Sequence, residues 1–201
     1  MMEIDHLAVT CADLDEGAAW VEARLGVPTE PGGRHDRFGT WNRLVSLGPG
    51  CYLEVIAPEP GTRPAGPRWF GLEEAGPPRL GNWIVRVADM AAALAAAPAA
   101  AGRPLDLSRG PFAWTVAVPP DGSLPWGGAF PTLIRWREGG HPADRLTDRG
   151  LRLIALEVGH PDAARLKGLL ADLRDSRLIL HEADRPMLRA RLSTAHGEVV
   201  L

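Results

Sequence analysis

The opening residues alternate. In "EIDHLAVTC", Glu3 to Cys11, the residues Leu7, Val9 and Cys11 fall on one side of an extended chain, and Ile4, His6, Ala8 and Thr10 on the other. The hydrophobic period then changes from two to 3.6. Across "DLDEGAAWVEARLG", Leu14, Ala18, Val21 and Leu25 recur at helical spacing, and Gly26 suits the position just past the last turn. Asp13 stands as N-cap with Glu16 three residues on, a capping-box spacing. A Gly-rich turn follows, then strands over Trp41–Leu47 and Cys51–Ala57 with a Gly-Pro-Gly turn between them. The order is strand, helix, then two or three strands.

That order returns after the Pro/Gly-rich linker Pro58–Gly81. The stretch "NWIVRVADMAAALAAAPAAAG" aligns without a gap on "HLAVTCADLDEGAAWVEARLG". Trp83, Val85 and Val87 take the places of Leu7, Val9 and Cys11, Asp89 replaces the cap Asp13, and Gly102 lies near the expected helix end. Strands follow around "FAWTVAVP" and "PTLIRW". A weaker third copy begins near Leu151, where Ile154, Leu156 and Val158 match the inward set and Pro161 stands near the first turn of a helix. Short strands near "LILHE", "MLRARLS" and "EVVL" finish the chain. The pattern predicts an α+β fold of repeated βαβββ units. Units at about 3–58 and 81–137 pair within a domain over 1–145, and a third, partial unit spans 150–201, packed on the same domain or across a dimer interface. Units of this kind normally bury their faces by pairing. An unpaired third unit would expose an apolar face and strand edges, so a homodimer about a two-fold axis is expected.

Composition narrows the function. Among 201 residues, 45% are hydrophobic and 23% charged, and the net charge is −3 with acids and bases mixed. No basic tract points to a nucleic-acid partner. No apolar run approaches the roughly 20 residues that cross a bilayer, and Pro98 interrupts the Ala-rich segment, so no membrane partner is expected. The start Met-Met-Glu-Ile-Asp has neither a basic nor an apolar region, so no signal peptide is expected. Cys11 and Cys51 fall at apolar strand positions and read as reduced core residues of a cytoplasmic protein. There is no GxGxxG and no P-loop, and Ser46, Ser108 and Ser123 lack a nucleophile-elbow context. The aromatics are biased: seven are Trp, against four Phe and one Tyr, and Trp lines pockets as well as cores.

With His6, the repeat and "YLEVIAP" taken together, the chain resembles the glyoxalase-like branch of the vicinal oxygen chelate superfamily. The stretches that carry the likeness are "IDHLAVTCADLDEGAAWVEARLGV", "GGRHDRFGTWNRLVSLGPGCYLEVIAP", "PPDGSLPW", "FPTLIRW" and "HP". The resemblance implies paired βαβββ units whose curved sheets enclose a cup. It implies, in catalytic members, a divalent metal held by His or Gln from the first strand and Glu from the last strand of each unit. Isomerases, lyases, dioxygenases and resistance-type binding proteins share that architecture, so fold alone does not name the reaction.

His6 and Glu54 match the family's ligand positions in the first unit. Glu54 shares a strand face with Tyr52 and Ile56, and a buried carboxylate is costly unless it is paired or metal-bound. His and Glu suit Zn, Mn, Fe or Ni. A plain His–Glu hydrogen bond in a polar core is the alternative. The second unit departs from the pattern, with Asn82 at the place of His6 and Ile134 or Arg135 at the place of Glu54. The third offers only Leu153 and about Leu201. His35, on a Gly-flanked loop, is the candidate third ligand, or else a donor or general base beside Glu54. Asn82, Ile84 and Arg86 share the face equivalent to His6, and Arg86 could pair with Glu54 in place of an ion. Arg109 and Arg135 are candidates for a substrate carboxylate or phosphate. Trp126 is the candidate lid, Trp41, Trp114 and Trp136 candidate walls, and His141 a candidate for the rim. Trp83 belongs to the helix-facing core. The expected function is metal-assisted chemistry on a small oxygenated metabolite, with binding without turnover as the alternative.

Overall fold

The computed structural model describes residues 2–201. The first unit runs β1 (Met2–Thr10), α1 (Leu14–Leu25), β2 (Glu30–His35), β3 (Thr40–Ser46) and β4 (Tyr52–Pro58). The Asp13 carboxylate accepts the Glu16 N–H at 2.9 Å, and Gly26 ends α1 in the left-handed conformation at φ 70°. Leu14, Ala18, Val21 and Leu25 are the buried stripe. Asp13→Ala is expected to lower stability by about 1 kcal/mol in urea unfolding, the typical value of an N-cap. An unchanged midpoint would show that water replaces the cap.

The second unit runs β5 (Arg79–Val87), α2 (Met90–Ala96), β6 (Arg103–Arg109), β7 (Phe112–Val118) and β8 (Thr132–Glu138). Its helix stops well short of Gly102. Pro98 holds Ala97 extended (φ −80°, ψ 159°), and only a 3-10 turn over Ala99–Ala101 follows.

Eight strands form one sheet in the order β2-β3-β4-β1-β5-β8-β7-β6. β1 and β5 are antiparallel at its centre, with His6 opposite Ile84 and Ala8 opposite Asn82. This is the register of a two-fold that exchanges His6 with Asn82. The sheet curls until the edge strands β2 and β6 meet. Its concave side carries Ala8, Ile56, Ile84, Trp114, Val116 and Ile134, closed below by Trp69 and Phe70 from the linker.

Simple alternation fails at one place in β1. Ile4 opposes Val85 and His6 opposes Ile84, which leaves Asp5 as an extra residue, a bulge. Ile4 therefore joins Leu7 and Val9 in the helix-side core instead of facing the cup. The repeat bulges at the same place, where Gly81 is skipped between Asn82 and Leu80, and a Cβ on Gly81 would overlap Thr10.

The C-terminal unit runs β9 (Arg152–His160), α3 (Ala163–Leu169), β10 (Leu178–Glu182), β11 (Met187–Thr194) and β12 (Gly197–Val200). The order of elements recurs but the pairing does not. The sheet is β10-β9-β11-β12, so the strand after the helix lies parallel beside the first strand. A slip between Arg191 and Leu192 also brings Leu153, in place of Ile154, into the core. Leu156, Val158, Leu166 and Leu192 share one apolar cluster with Leu7, Val9, Val21 and Trp83. Of the two expected placements, packing on the same domain or across a dimer interface, these residues take the first, and this face is covered within the chain. Among the described residues the exposed large hydrophobics are Ile179 and Val200, each 43% exposed. No helix among the described residues is long and apolar enough to cross a membrane. Cys11 and Cys51 are buried free thiols.

Candidate active site

The β1 bulge delivers two polar side chains in succession. Asp5 is fully buried, and its Oδ1 accepts from His6 Nδ1 at 2.6 Å. Its Oδ2 accepts from Trp136 Nε1 at 3.0 Å and His141 Nε2 at 3.1 Å. The Ala143 N–H donates to His141 Nδ1 at 3.3 Å, so the proton of that ring sits on Nε2. Burial opposes the Asp5 charge, but the hydrogen bonds from His141 and His6 outweigh it and hold the carboxyl far below the usual range.

With Nδ1 held by Asp5, His6 turns Nε2 toward Glu54 Oε2 at 3.7 Å, too long for a hydrogen bond. Tyr52 stacks on the imidazole at 4.3 Å between ring centres. From behind, Asn42 Nδ2 donates to Glu54 Oε1 at 2.5 Å. Burial penalises charge on both groups, yet the two carboxylates raise the His6 pKa, and His6, His35 and Asn42 lower that of Glu54. The pair therefore favours imidazolium facing carboxylate.

His35 ends β2, a strand where a loop was expected. Arg109 Nη1 donates to its Nε2 at 3.0 Å, so Nδ1 carries the proton toward Thr40 Oγ1 at 3.2 Å. Burial first, and then Arg109 against the opposing pull of Glu54, brings its pKa down to about 4. Arg109 Nη1 also donates to Asn42 Oδ1 at 3.3 Å. His6, His35, Tyr52, Glu54, Trp69, Trp114 and Trp136 enclose a cavity of about 30 Å³, room for one or two waters. His35, Leu44, Arg109 and Trp114 also wall an open cleft of about 830 Å³ outside it.

Several expected site residues lie elsewhere. Arg86 is on the rim, with Nη2 on Glu3 at 2.7 Å and Nη1 3.7 Å from Asp5, and it makes no pair with Glu54. Arg135 is exposed outside the cavity. Trp126 packs on His160 at 4.8 Å and under Arg165, against the C-terminal unit, because its loop turns away from the cup. Trp41 is outside the cavity as well. His141 is buried and steadies Asp5. Asn42, Tyr52, Trp69 and Asp5 are site residues that residue type and spacing did not single out.

Register corrects one pairing in the repeat. Ala8 opposes Glu54 and its counterpart Ile84 opposes Thr132, so Thr132, and neither Ile134 nor Arg135, stands at Glu54's place. Asn82 Nδ2 donates to Thr132 Oγ1 at 2.9 Å. The second half thus carries a neutral, self-satisfied pair where the first carries His6 and Glu54. This bears on the expected metal. Two donors, His6 Nε2 and Glu54 Oε2, have a suitable arrangement, and Asp5 backs the imidazole as a second ligand shell does. The third, His35 Nε2, is engaged by Arg109. Among the described residues no group of three His, Cys, Asp or Glu is arranged to hold an ion. The donor set does not fit a closed divalent site.

The family profile described as "Glyoxalase-like domain" matches residues 4–174. No curated protein matches. A hypothetical protein from Staphylococcus aureus has a similar structure over 100% of this chain and 84% of its own, with TM-score 0.60 and 15% identity. Methylmalonyl-CoA epimerase from Mycobacterium tuberculosis is similar over 68% of this chain and 88% of its own, with TM-score 0.43 and 20% identity. A fusion of a xylose isomerase-like TIM barrel with 4-hydroxyphenylpyruvate dioxygenase is similar over 99% of this chain and 31% of its own, with TM-score 0.46 and 18% identity. At these identities the likenesses concern the fold alone.

Proposed function

The chain belongs to the glyoxalase-like domain family of the vicinal oxygen chelate superfamily, and from that premise we propose that its cup moves a proton on a small oxygenated metabolite, as an isomerase or lyase does. The observation that carries this reading is the opposition of Glu54 Oε2 and His6 Nε2 across 3.7 Å, each held from behind, by Asn42 and Asp5. Glu54 is the base and His6 the acid. Glu54 takes a proton from a carbon beside a carbonyl. The C–H electron pair becomes a C=C bond to the carbonyl carbon and the C=O π pair moves onto the oxygen, where the His6 N–H meets the developing charge. Return of a proton to carbon completes an isomerisation; departure of a neighbouring group completes an elimination. The opposite pKa shifts suit these roles, since His6 is held charged and Glu54 ionised. No step runs through a metal.

The test is α-proton exchange in D2O, followed by NMR with a panel of small 2-oxo and 2-hydroxy carbonyl compounds. The expected result is exchange that survives EDTA and slows about a hundredfold in Glu54→Gln. Exchange lost to EDTA and restored by Mn or Zn would replace this reading with metal-assisted chemistry. A compound bound tightly with no exchange would make the protein a carrier.

A further inference from the structure

The open cleft beside the cup is unlike the rest of the chain in charge. Besides His35, its charged side chains are Arg34, Arg37, Arg109 and Arg145 against Glu30 and Asp36, two more cations than anions, in a chain of net charge −3. Arg34 is neutralised by Glu59 at 2.6 Å, outside the cleft lining. Glu30 is occupied by the Thr147 N–H at 3.0 Å. Arg109 is different. It is half-buried, and no carboxylate among the described residues forms an ion pair with it. Its hydrogen bonds leave from Nη1 alone and go to neutral acceptors, His35 Nε2 and Asn42 Oδ1. A guanidinium partly removed from water without a counter-ion is costly, and its remaining donors suit a carboxylate or phosphate.

The backbone makes room for this placement. A Cβ on Gly33 would lie 2.7 Å from Arg109 Cδ and 3.0 Å from its Nε. Glycine at 33 leaves the space in which the Arg109 side chain, coming from β6, lies over β2, and a larger residue there would push it aside. Arg109 therefore stands in the wall between the inner cavity of about 30 Å³ and the cleft of about 830 Å³. The inner cavity has room for a group of about one or two heavy atoms, and the cleft for a larger, charged remainder.

We propose that the cleft binds the anionic oxygen group, carboxylate or phosphate, of the molecule whose reactive carbon enters the cup, with Arg109 as its ligand, Arg37 and Arg145 as outer counter-charges, and Gly33 as the residue that positions Arg109. The inference rests on the proton-transfer reading for what the anion is attached to, and stands apart from it for the binding itself.

The experiment is titration of the full chain with malonate and with inorganic phosphate at low ionic strength, read by calorimetry and by Trp fluorescence. Trp114 reports, its ring 6.0 Å from the Arg109 guanidinium. Saturable binding is expected for at least one anion, and which one binds assigns the group. Affinity falls tenfold or more in Arg109→Gln, recovers in part in Arg109→Lys, falls in Gly33→Val, and is unchanged in Arg135→Gln outside the cleft. Near-UV circular dichroism checks the fold; if Arg109→Gln does not fold, Gly33→Val carries the same comparison. Wild-type affinity in Arg109→Gln, or no saturable binding of either anion, overturns the proposal. Glu54→Gln retains anion binding, so loss of proton exchange and loss of anion binding are separate outcomes.

Discussion

Asp5→Ala is expected to destabilise the protein by about 3–5 kcal/mol, the range for breaking a buried charged network from one side. The carboxylate is fully buried and is the acceptor for His6 Nδ1, Trp136 Nε1 and His141 Nε2. Removing it leaves three donors without a partner in a space that alanine does not fill, and each such donor costs on the order of 1–3 kcal/mol. Asp5→Asn keeps one acceptor oxygen and is expected to cost less. The sizes are read from urea unfolding followed by circular dichroism. The altered setting of Trp136 should also shift the near-UV spectrum. A loss below about 1 kcal/mol for the alanine variant would mean that water enters and replaces the carboxylate.

Stability is expected to fall as the solution is acidified from pH 6.5 to about 4, and His35 is the cause. Its folded pKa, about 4, lies below its usual 6.5. Between those values the unfolded chain binds a proton that the folded chain refuses, so acid favours unfolding. The gap of about 2.5 pH units corresponds to about 3 kcal/mol when fully expressed. His6 has the opposite sign. Its pKa is raised, so its contribution is constant below 6.5 and is lost only as pH rises through the folded value. Glu54, with a lowered pKa, contributes above its usual 4.5 and loses that contribution as pH falls through the folded value. The stretch from 6.5 down to about 4.5 thus isolates His35 from this pair. In that stretch the difference in unfolding free energy between wild type and His35→Gln should shrink by about 1.4 kcal/mol per pH unit at its steepest. A difference that stays constant with pH would show that His35 titrates normally.

The repeated architecture was legible because alternation, capping and helical spacing are local signals. Asp13 and Asp89 cap as their positions predict. His6 and Glu54 reach the cup for the same reason, because strand faces can be counted, whereas His35 and Arg109 reach it from the ends of β2 and β6, two strands the pattern did not show. What failed depended on register. The bulge at Asp5 shifted Ile4 to the other side, and a second slip exchanged Ile154 for Leu153. A signal for the first was present. Gly81 occupies Asp5's place in the repeat, and glycine inside a strand pattern marks a bulge. Thr132 was missed because the loop before β8 hides the register by two residues. Trp126 was misplaced because a loop's direction depends on what it packs against, and that partner lies far along the chain in Arg165 and His160. Asn42 and Tyr52 alternate correctly with the cup-facing set, but neither type is distinctive enough to announce a role.

The hydrogen bond between Asn82 and Thr132 has an orientational consequence. A cup made from two equal halves would accept a guest in two orientations related by its two-fold. Here His6 and Glu54 line one half, and at the matching place in the other only Thr132 does, its hydroxyl already bonded to the buried Asn82 amide. The degeneracy is lifted: under the proposed function, one of the two orientations brings the reactive carbon to Glu54 and the other does not. A duplicated, nearly symmetric framework thereby gains a direction, and a molecule turned end for end in it would meet different chemistry.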